Sequence, residues 1–493
     1  MIFVCLLLGS ISFQPTYYTN TNYYYEITGR GDMIYGATNG GCIRYDYANE
    51  RFEVLTNTDG LPIGNQSCVA VDSSGFVWVG NSVGVTLVDP TFTDIQSYPA
   101  DRLTGTRTQE IVCSSDRIYV GSSSGLLCID SKGTPDDFSD DTYWSRFGYN
   151  ILTIAVDGTI WVGTTDGLVS FSTTGTLLNE YDESDGLLSN TINKVAIIDS
   201  VVYVGTDIGL QRFTGDHFDT LLLNYQVNDI TFAGDSLALA LDSLDQFGFY
   251  FGGSLTIAKG GIPYLCKVLS VSNVNGMLFC GLGNRYVDDI FGEGLGDYDF
   301  VNNTWRLTKR NCLPSNHVTD IAVNEHGVFV AHGTRSATSK GFSWLDTLGT
   351  WKSYTSDSIL PSNQVHRCEV SRDGKVWFAF NPFVNDSASV MLLSFDVEQN
   401  TWQYINNGYN NMDGTVAVWD IEFDFAGNMY LTLAGPSDRL WVLDSMMMCT
   451  RNSRNLMGCS VVMCSAALSA MMMFSTRQME PIFSYIMKVL FLV

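Results

Sequence analysis

Residues 154–171 read IAVDGTIWVGTTDGLVSF, and this stretch decides the fold. It predicts a strand that ends at Val156, a tight turn at Asp157-Gly158 and a second strand over Thr159–Thr164. After a short loop it predicts a third strand over residues 168–171. An Asp-Gly pair between two runs of β-branched and aromatic residues is a strong signal for a β-hairpin. One such unit cannot bury its own apolar faces, so copies of it must stack on each other.

The same pattern recurs along the chain and is marked by a glycine after Trp-Val or Tyr-Val. Successive marks are 41, 42 and 42 residues apart, and each is followed four residues later by a second glycine. The marking glycines are Gly80, Gly121, Gly163 and Gly205. A period near 42 residues with about four short strands per unit is typical of a β-propeller blade. Helical repeats are excluded because the apolar runs are short and alternating.

A second mark lies between the repeats, where the chain passes from one unit to the next. Asp59-Gly60-Leu61 ends at Asn65, and Asp185-Gly186-Leu187 ends at Asn190. Asp and Asn bond their own backbone in turns, and glycine tolerates positive φ. We therefore interpret the D-G-L-x-x-N segments as connecting turns. The aromatic residues of the second strands are predicted to pack in the core, at Trp78, Tyr119, Trp161, Tyr203 and Trp377.

Together these marks resemble the two-component regulator propeller repeat. The resemblance rests on D-G-L-x-x-N followed by I-A-x-D-x-x-G-x-I-W-V-G-T-x-x-G-L. It is close over residues 59–213, fair over 312–444 and weak over 214–300. That family supplies the periplasmic sensor part of many hybrid histidine kinases, usually as paired seven-bladed propellers, and it also occurs in secreted proteins without a kinase. The repeat identifies a fold well and an activity poorly.

Residues 15–444 are expected to form about ten four-stranded blades. The blades should begin near residues 23, 66, 108, 151, 191, 227, 267, 317, 364 and 415. Three arrangements remain open: one large ring, two small rings, or a seven-bladed ring plus part of a second, with a division near residues 300–316. The resemblance favours the third. Residues 281–297 are predicted to be a Gly-rich surface loop.

Ring closure is predicted to use residues 15–20 as a spare outermost strand. In a seven-bladed ring this strand would pair in the seventh blade, near residues 295–301. In a ten-bladed ring it would pair with residues 439–444, the third strand of a last blade that lacks its fourth. Pairing of this kind would remove an exposed sheet edge.

The two ends of the chain differ from the repeats. Residues 1–14 carry a short apolar run followed by Ser10 and Ser12, which predicts a secretory signal that is too short to span a bilayer. Residues 445–493 contain 10 of the 16 methionines and a single acidic residue, Glu480. We interpret this tail as an out-of-frame translation outside the propeller, with a genuine Met-rich amphiphilic tail as the alternative.

The amino-acid composition limits the classes of partner that the protein can bind. The apolar fraction is 45%, and the net charge is −25, which disfavours nucleic acid and anionic membrane surfaces. No membrane span is predicted. The cysteines are scattered without a C-x-x-C pair and are predicted to be buried thiols. No cofactor or metal site is predicted, and paired aspartates such as Asp136-Asp137 are interpreted as solvated loops.

No catalytic constellation is found either. The five histidines, His217, His317, His326, His332 and His366, are interpreted as surface polar residues. Residues 371–377 superficially resemble the Asp-box of sialidase-type propellers, but Asp373 and Gly374 are adjacent, so a hairpin turn is predicted. No catalytic, cofactor-binding or metal-binding residue is therefore assigned, and single ligand-binding residues remain unknown.

The expected function is that of a non-enzymatic exported β-propeller, acting as a ligand-sensing or protein-interaction module. Its partner would be a glycan or protein in the periplasm, outside the cell or at its surface. Candidate ligand loops are those after Gly80, Gly121, Gly163 and Gly205, together with the D-G-L-x-x-N turns. Two alternatives remain: a secreted cargo or envelope-assembly propeller with a lost sorting domain, and a propeller-borne glycan hydrolase or lyase.

Overall fold

The computed structural model describes residues 18–105, 107–242, 247–258, 261–263, 266–284, 292–333, 339–380, 390–406, 417–434, 439–443 and 449–452. The chain divides into two compact units, residues 1–316 and residues 317–493. The described residues form ten four-stranded antiparallel sheets, which confirms the all-β propeller prediction. Within these ranges no helix is long and apolar enough to cross a bilayer.

The first unit contains seven sheets, each built from four consecutive strands, and we number the sheets as blades 1 to 7. Blades 1 to 4 contain β1 (Tyr24–Arg30), β2 (Met33–Thr38), β3 (Gly41–Asp46), β4 (Arg51–Leu55), β5 (Gln66–Val71), β6 (Val77–Asn81), β7 (Gly84–Val88), β8 (Ile95–Ser97), β9 (Thr108–Ser114), β10 (Arg117–Ser122), β11 (Gly125–Asp130), β12 (Thr142–Phe147), β13 (Ile151–Asp157), β14 (Thr159–Thr164), β15 (Leu168–Ser172) and β16 (Leu177–Tyr181). Blades 5 to 7 contain β17 (Ile192–Ile198), β18 (Val201–Thr206), β19 (Gly209–Phe213), β20 (Phe218–Leu223), β21 (Val227–Ala233), β22 (Ser236–Leu241), β23 (Phe247–Phe251), β24 (Ser254–Ile257), β25 (Cys266–Val274), β26 (Met277–Asn284), β27 (Leu295–Asp299) and β28 (Thr304–Thr308). Two 3₁₀ turns, Ala100–Arg102 and Glu183–Asp185, lie between blades.

The second unit contains three further sheets, blades 8 to 10. Their strands are β29 (Asp320–Asn324), β30 (Gly327–Ala331), β31 (Phe342–Asp346), β32 (Trp351–Tyr354), β33 (Val365–Val370), β34 (Val376–Phe380), β35 (Val390–Asp396), β36 (Thr401–Asn406), β37 (Ala417–Phe423), β38 (Met429–Ala434), β39 (Arg439–Leu443) and β40 (Cys449–Asn452). The first strands β29, β33 and β37 pack in that order.

The seven blades of the first unit form a closed ring. The first strand of each blade packs on the first strand of the next, and β1 packs on β25 to complete the circle. At this junction the backbone N–H of Ile27 donates a hydrogen bond to Ser270 Oγ, at 3.2 Å. A Cβ atom added to Gly281 would lie only 2.9 Å from Cβ of Tyr24. Blades 1 and 7 are thus in close contact along their innermost strands.

The next blade packs directly against the marking glycines and leaves no room for a side chain at these positions. A Cβ atom at Gly163 would lie 2.6 Å from Cγ2 of Ile192, the first residue of β17, and 2.5 Å from Cγ2 of Thr153. Such separations are far below carbon–carbon contact distance. The next blade also crowds the equivalent glycines, Gly80, Gly121 and Gly205. Among the predicted core aromatics, Trp78, Tyr119, Trp161 and Trp377 are buried and Tyr203 is half-buried.

The closing strand predicted over residues 15–20 is wrong for its described part. Residues 18–20 are not in a strand, and blade 7 is complete without them; residues 15–17 lie outside the described residues. Instead, Asn316 Oδ1 accepts hydrogen bonds from Asn20 N and from Thr19 Oγ1. The side chain of Asn22 bonds the backbone N–H and C=O of Arg310, at 3.0 and 3.2 Å. Asparagine side chains therefore replace the expected backbone ladder.

Two other boundaries need correction. The last blade has a fourth strand, because Cys449–Asn452 pairs with Arg439–Leu443. Four residues of the predicted non-propeller tail therefore belong to a sheet, while residues 445–448 and 453–493 lie outside the described residues. The predicted loop over residues 281–297 is shorter, since β26 and β27 extend into it and residues 285–291 are not described. The predicted signal, residues 1–14, also lies outside the described residues.

Candidate functional site

The loops predicted to bind ligand are tight turns closed on their own hydrogen bonds. Thr164 Oγ1 donates to the carbonyl oxygen of Gly167 at 2.9 Å and accepts from Asp166 N at 3.0 Å. Thr206 Oγ1 makes the same pattern, since it donates to the carbonyl oxygen of Gly209 and accepts from Ile208 N, both at 3.1 Å. The turns after Gly80 and Gly121 are equally short. These turns are therefore tight connections between strands, and neither of the two grooves described below is lined by them.

The D-G-L-x-x-N segments are also structural. Asp59 Oδ2 accepts a hydrogen bond from Thr56 N at 2.8 Å, Gly60 has φ +120°, and Leu61 is buried. At the second copy Leu187 is buried and Asn190 Oδ1 accepts from Glu183 N at 2.9 Å. Turn chemistry and an apolar plug therefore explain this motif.

Two adjoining grooves lie at the opposite ends of the strands. The first, about 520 Å³, lies between blades 4 and 5 and is lined by Trp161 and Phe213 with Asp157, Ser200 and Arg212. Its two aromatic rings meet edge to face, with centroids 5.1 Å apart. Turns between the first and second strands and between the third and fourth strands border it, so none of the predicted ligand loops contributes.

The second groove, about 460 Å³, lies between blades 5 and 6. Four aromatic residues line it, Tyr203, Phe232, Tyr250 and Phe251, together with Asp199 and Asp235. Phe232 is 49% exposed and Phe251 is 61% exposed, which is unusual for large apolar side chains. Each groove therefore combines aromatic surface with a few polar groups, as ligand sites commonly do.

Arg212 joins the two grooves, because its side chain lines both. The guanidinium bonds Asp219 Oδ2 at 2.7 Å, and this hydrogen bond raises the pKa of Arg212. An arginine anchored on one side still has donors for a second partner, since a guanidinium carries five N–H groups. We call the two grooves and Arg212 the groove face.

A second constellation lies on the axis of the ring, where sequence reasoning found nothing. Lys194 of blade 5 contacts Glu110 of blade 3 and Asp229 of blade 6, each at 3.3 Å. Blades 3 and 5 are not neighbours, so these side chains meet across the centre of the ring. Glu26 of blade 1 completes the group and accepts a hydrogen bond from Val69 N at 2.8 Å. We call Glu26, Glu110, Lys194 and Asp229 the axial cluster.

The axial cluster occupies one repeated position. In each blade, one residue of the first strand pairs with the second-strand residue at the position of the marking glycine. From blade 1 to blade 7 this first-strand residue is Glu26, Cys68, Glu110, Thr153, Lys194, Asp229 and Ser270. Several of these side chains accept a hydrogen bond from the next blade: Thr153 from Val195 N at 3.2 Å and Asp229 from Val271 N at 2.8 Å. The position therefore ties neighbouring blades together. Its spacing is 41 to 43 residues, except for 35 residues between Lys194 and Asp229, and the position could have been found in the sequence from this spacing.

Burial and charge shift the titration of the axial cluster. Burial raises the pKa of Glu26 well above its usual range, Glu110 adds to this rise, and Lys194 opposes it. The pKa of Glu110 is also raised by burial, with Lys194 in opposition. Burial disfavours the charge on Lys194, but Asp229, Glu110 and Glu26 together outweigh it and hold the Lys194 pKa well above its usual range.

The surface interpretation of the histidines is wrong for His332, and His366 is half-buried. His332 is 1% exposed, and burial lowers its pKa to about 4. Its Nδ1–H donates to the carbonyl oxygen of His317 at 3.0 Å, and Nε2 accepts from Ser343 Oγ at 2.7 Å. Burial also lowers the pKa of His366 to about 4. His332 directly follows β30, and His366 lies on β33.

Other predicted residues have the expected structural roles. Burial is confirmed for Cys42, Cys68, Cys128, Cys266, Cys280 and Cys368, whereas Cys113 and Cys312 are half-buried. The sialidase-like segment is a hairpin turn, in which Ser371 N donates to the carbonyl oxygen of Lys375 at 2.8 Å and Gly374 has φ +83°. Among the described residues, one group of three potential metal ligands converges, formed by Glu325, His326 and Glu398.

No family model matches this chain, and no curated protein matches its sequence. Several solved structures are similar in fold. PorZ, described as an essential bacterial surface component of the type-IX secretion system of Porphyromonas gingivalis, is 13% identical with a TM-score of 0.48 over 87% of this chain and 65% of its own. An extracellular domain described as that of a hybrid two-component system from B. thetaiotaomicron is 14% identical, with a TM-score of 0.43 over 88% of this chain and 64% of its own.

A third similar structure is an ancestral GH74 enzyme, 12% identical, with a TM-score of 0.58 over 87% of this chain and 68% of its own. The chain thus spans slightly under two thirds of the length of the first two proteins. At these identities the likeness concerns the fold and carries no activity with it. This chain and the GH74 enzyme have a similar fold. The ten four-stranded sheets of this chain identify that fold as a β-propeller.

Proposed function

We propose that this protein is an exported, non-enzymatic recognition module that binds a neutral glycan on the groove face of blades 4 to 6. The observation that carries the proposal is the pair of adjoining grooves, each lined by aromatic rings and by a few polar side chains, with Arg212 common to both. The apolar run near the start of the chain and the resemblance of its repeats to sensor propellers support a place outside the cytoplasm.

The chemistry of the grooves favours a saccharide. The apolar faces of sugar rings can lie against Tyr250 and Phe251, while sugar hydroxyls can donate to Asp199 and Asp235 and accept from Arg212. A polyanionic ligand is disfavoured, because the chain carries a net charge of −25 and aspartates border both grooves. A protein ligand that places a polar loop in the same grooves is the alternative, and in that case no oligosaccharide would bind in the test below.

The test is a binding screen of the full chain against neutral oligosaccharides, followed by calorimetry on those that bind. We expect Phe251→Ala and Arg212→Ala to weaken binding at least tenfold, because each removes a side chain that lines a groove. Phe147→Ala is the matched control: Phe147 is 66% exposed but lies on blade 3, away from the groove face. Equal affinity in the wild type and in both groove variants would contradict the proposal.

Glycan hydrolysis is the second candidate, and one observation favours it. Asp199 and Asp235 both line the second groove, and glycoside hydrolysis commonly uses a pair of carboxylates. Product analysis after prolonged incubation of a bound oligosaccharide separates the two functions. Recognition without catalysis leaves the oligosaccharide intact. Release of shorter products, lost in Asp199→Asn and Asp235→Asn, would establish the hydrolase instead.

A further inference from the structure

Two turns from neighbouring blades of the second unit bring three potential metal ligands together. Glu325 and His326 lie in the turn between β29 and β30 of blade 8, and Glu398 lies in the turn between β35 and β36 of blade 9. One ligand atom from each of the three residues lies within 4.8 Å of the other two. The separation between Glu325 Oε1 and His326 Nε2 is 3.8 Å.

Packing between the two blades fixes both turns. The indole Nε1–H of Trp344 donates to the carbonyl oxygen of His326 at 2.9 Å. The ring of Trp344 packs edge to face on Phe395, with centroids 6.1 Å apart, and Phe395 lies one residue before Asp396, at which β35 ends and the second turn begins. Within that turn, Asp396 Oδ1 accepts from the backbone N–H of Gln399 at 3.0 Å. The packing of blade 8 on blade 9 therefore holds the two turns that carry Glu325, His326 and Glu398 near each other.

The charges at this place are unbalanced. Two carboxylates approach one imidazole, and in the described part of the chain neither Glu325 nor Glu398 forms an ion pair with a lysine or arginine. A divalent cation would compensate the two negative charges. An imidazole nitrogen with two carboxylate oxygens is a ligand set that suits Zn²⁺, with water in the fourth position, and it suits Ca²⁺ or Mg²⁺ poorly.

We propose that Glu325, His326 and Glu398 bind Zn²⁺ and that the ion joins blade 8 to blade 9. Ligand atoms about 2 Å from a tetrahedral zinc lie about 3.3 Å apart. Rotation of the Glu325 and Glu398 side chains would bring the three ligand atoms to that separation. The Glu325 side chain is 77% exposed and has room to rotate. The site is independent of the groove face and of the function proposed for it.

A second histidine in the chain provides an internal contrast. His217 also has two carboxylates beside it, but Asp216 contacts Nδ1 at 2.6 Å and Asp219 contacts Nε2 at 3.2 Å. Carboxylates on opposite nitrogens cannot share one ion with the ring. They stabilise the imidazolium instead, and the hydrogen bond that His217 Nδ1–H donates to Asp216 raises the pKa of His217. His217 is thus a matched control with similar composition and different geometry.

The experiment is a calorimetric titration of the full chain with Zn²⁺, together with melting curves. His326→Ala and Glu398→Gln should each weaken one Zn²⁺ site at least tenfold and abolish the rise in melting temperature that Zn²⁺ causes in the wild type. His217→Ala and Glu50→Gln should change neither, because Glu50 occupies the corresponding exposed turn between β3 and β4 of blade 1. Both test residues lie in turns, so the metal-free variants should fold normally.

Selective labelling of the histidines adds a direct readout. Zn²⁺ should shift the imidazole resonance that is missing in His326→Ala and leave the His217 resonance in place. Cysteine thiols elsewhere can also bind Zn²⁺, so the decisive quantity is the difference between variants. Equal Zn²⁺ affinity in all four variants, or tighter binding of Ca²⁺ than of Zn²⁺, would overturn the proposal.

Discussion

At the scale of single residues, the marking glycines are the most demanding positions of the fold. A side chain at Gly163 must displace Ile192 of the next blade or Thr153 of its own. We expect Gly163→Val to lower the free energy of unfolding by about 3 kcal/mol, since overpacking a core typically costs 1–3 kcal/mol. Gly158→Ala is the control, with open space and φ +69°, and should cost about 1 kcal/mol. Urea denaturation measures both, and equal effects would show that the glycine is not crowded.

The axial lysine is a second demanding position, because it neutralises buried carboxylates. Lys194→Met leaves Glu110 and Asp229 without their cation, and removing one member of a buried ion pair costs about 3–5 kcal/mol. Lys194→Met combined with Glu110→Gln should recover part of this loss. Lys132→Met is the control: Lys132 pairs with Asp130 at the surface, where a pair contributes about 0–1 kcal/mol. A loss as small for Lys194 as for Lys132 would refute the axial arrangement.

At the scale of elements, the boundary of the last blade is testable. Cys449–Asn452 covers the edge of β39, whose residues Trp441 and Leu443 are buried. A chain that ends at residue 444 exposes this edge, so blade 10 should exchange its amide hydrogens faster. A chain that ends at residue 452 keeps the strand and should exchange as the full chain does. Hydrogen exchange with mass spectrometry compares the two, and identical exchange in blade 10 would show that the fourth strand is dispensable.

The elements show which signals sequence carries and which it lacks. All ten blades begin within three residues of their expected positions, because a strict repeat fixes the period and Asp-Gly turns fix the hairpins. The seven-bladed ring agrees with the favoured arrangement, but the closing strand over residues 15–20 is wrongly predicted, because side-chain hydrogen bonds of Asn20, Asn22 and Asn316 hold this segment and no strand pattern marks them. The fourth strand of blade 10 was missed because Cys449–Asn452 has no alternating apolar pattern.

The sites were harder to find for a different reason. The groove face joins residues from blades 4, 5 and 6, which are far apart in sequence and follow no common motif. The glycine marks and the D-G-L-x-x-N turns lie outside the lining of both grooves, so these motifs do not predict the groove face. The axial cluster, by contrast, follows the repeat, but its members differ in charge, and a pattern search for identical residues does not detect such a position.

At the scale of the whole molecule, the two units should respond oppositely to acid. In the first unit, the raised pKa values of Glu26 and Glu110 mean that the folded state binds more protons than the unfolded state above about pH 4.5. Their neighbours are Lys194, Asp229 and Cys68. Stability of this unit should therefore fall as the pH rises above the usual carboxyl range.

In the second unit the stability changes with pH in the opposite direction. His332, which faces His317, and His366, which lies beside Arg367, have pKa values lowered to about 4. The unfolded state then binds more protons between about pH 4 and 6.5, so stability should fall as the pH drops through this window. Hydrogen exchange at pH 5 and pH 8, corrected for intrinsic rates, should show the first unit better protected at pH 5 and the second at pH 8. Glu26→Gln should reduce the difference in the first unit only, and parallel trends in both units would contradict this account.

Closure of the first unit as a seven-bladed ring is the central claim, and one disulfide tests it directly. Asn275 Nδ2 donates to the carbonyl oxygen of Gly31 at 2.9 Å and lies 3.4 Å from Asp32 Oδ1, although these residues are 243 or more positions apart. The variant carrying Asp32→Cys and Asn275→Cys should form this disulfide under mild oxidation, as detected by peptide mapping. The control, Asp32→Cys with Asp157→Cys in the equivalent turn of blade 4, should not. A folded chain that fails to form the first disulfide would contradict the closed ring.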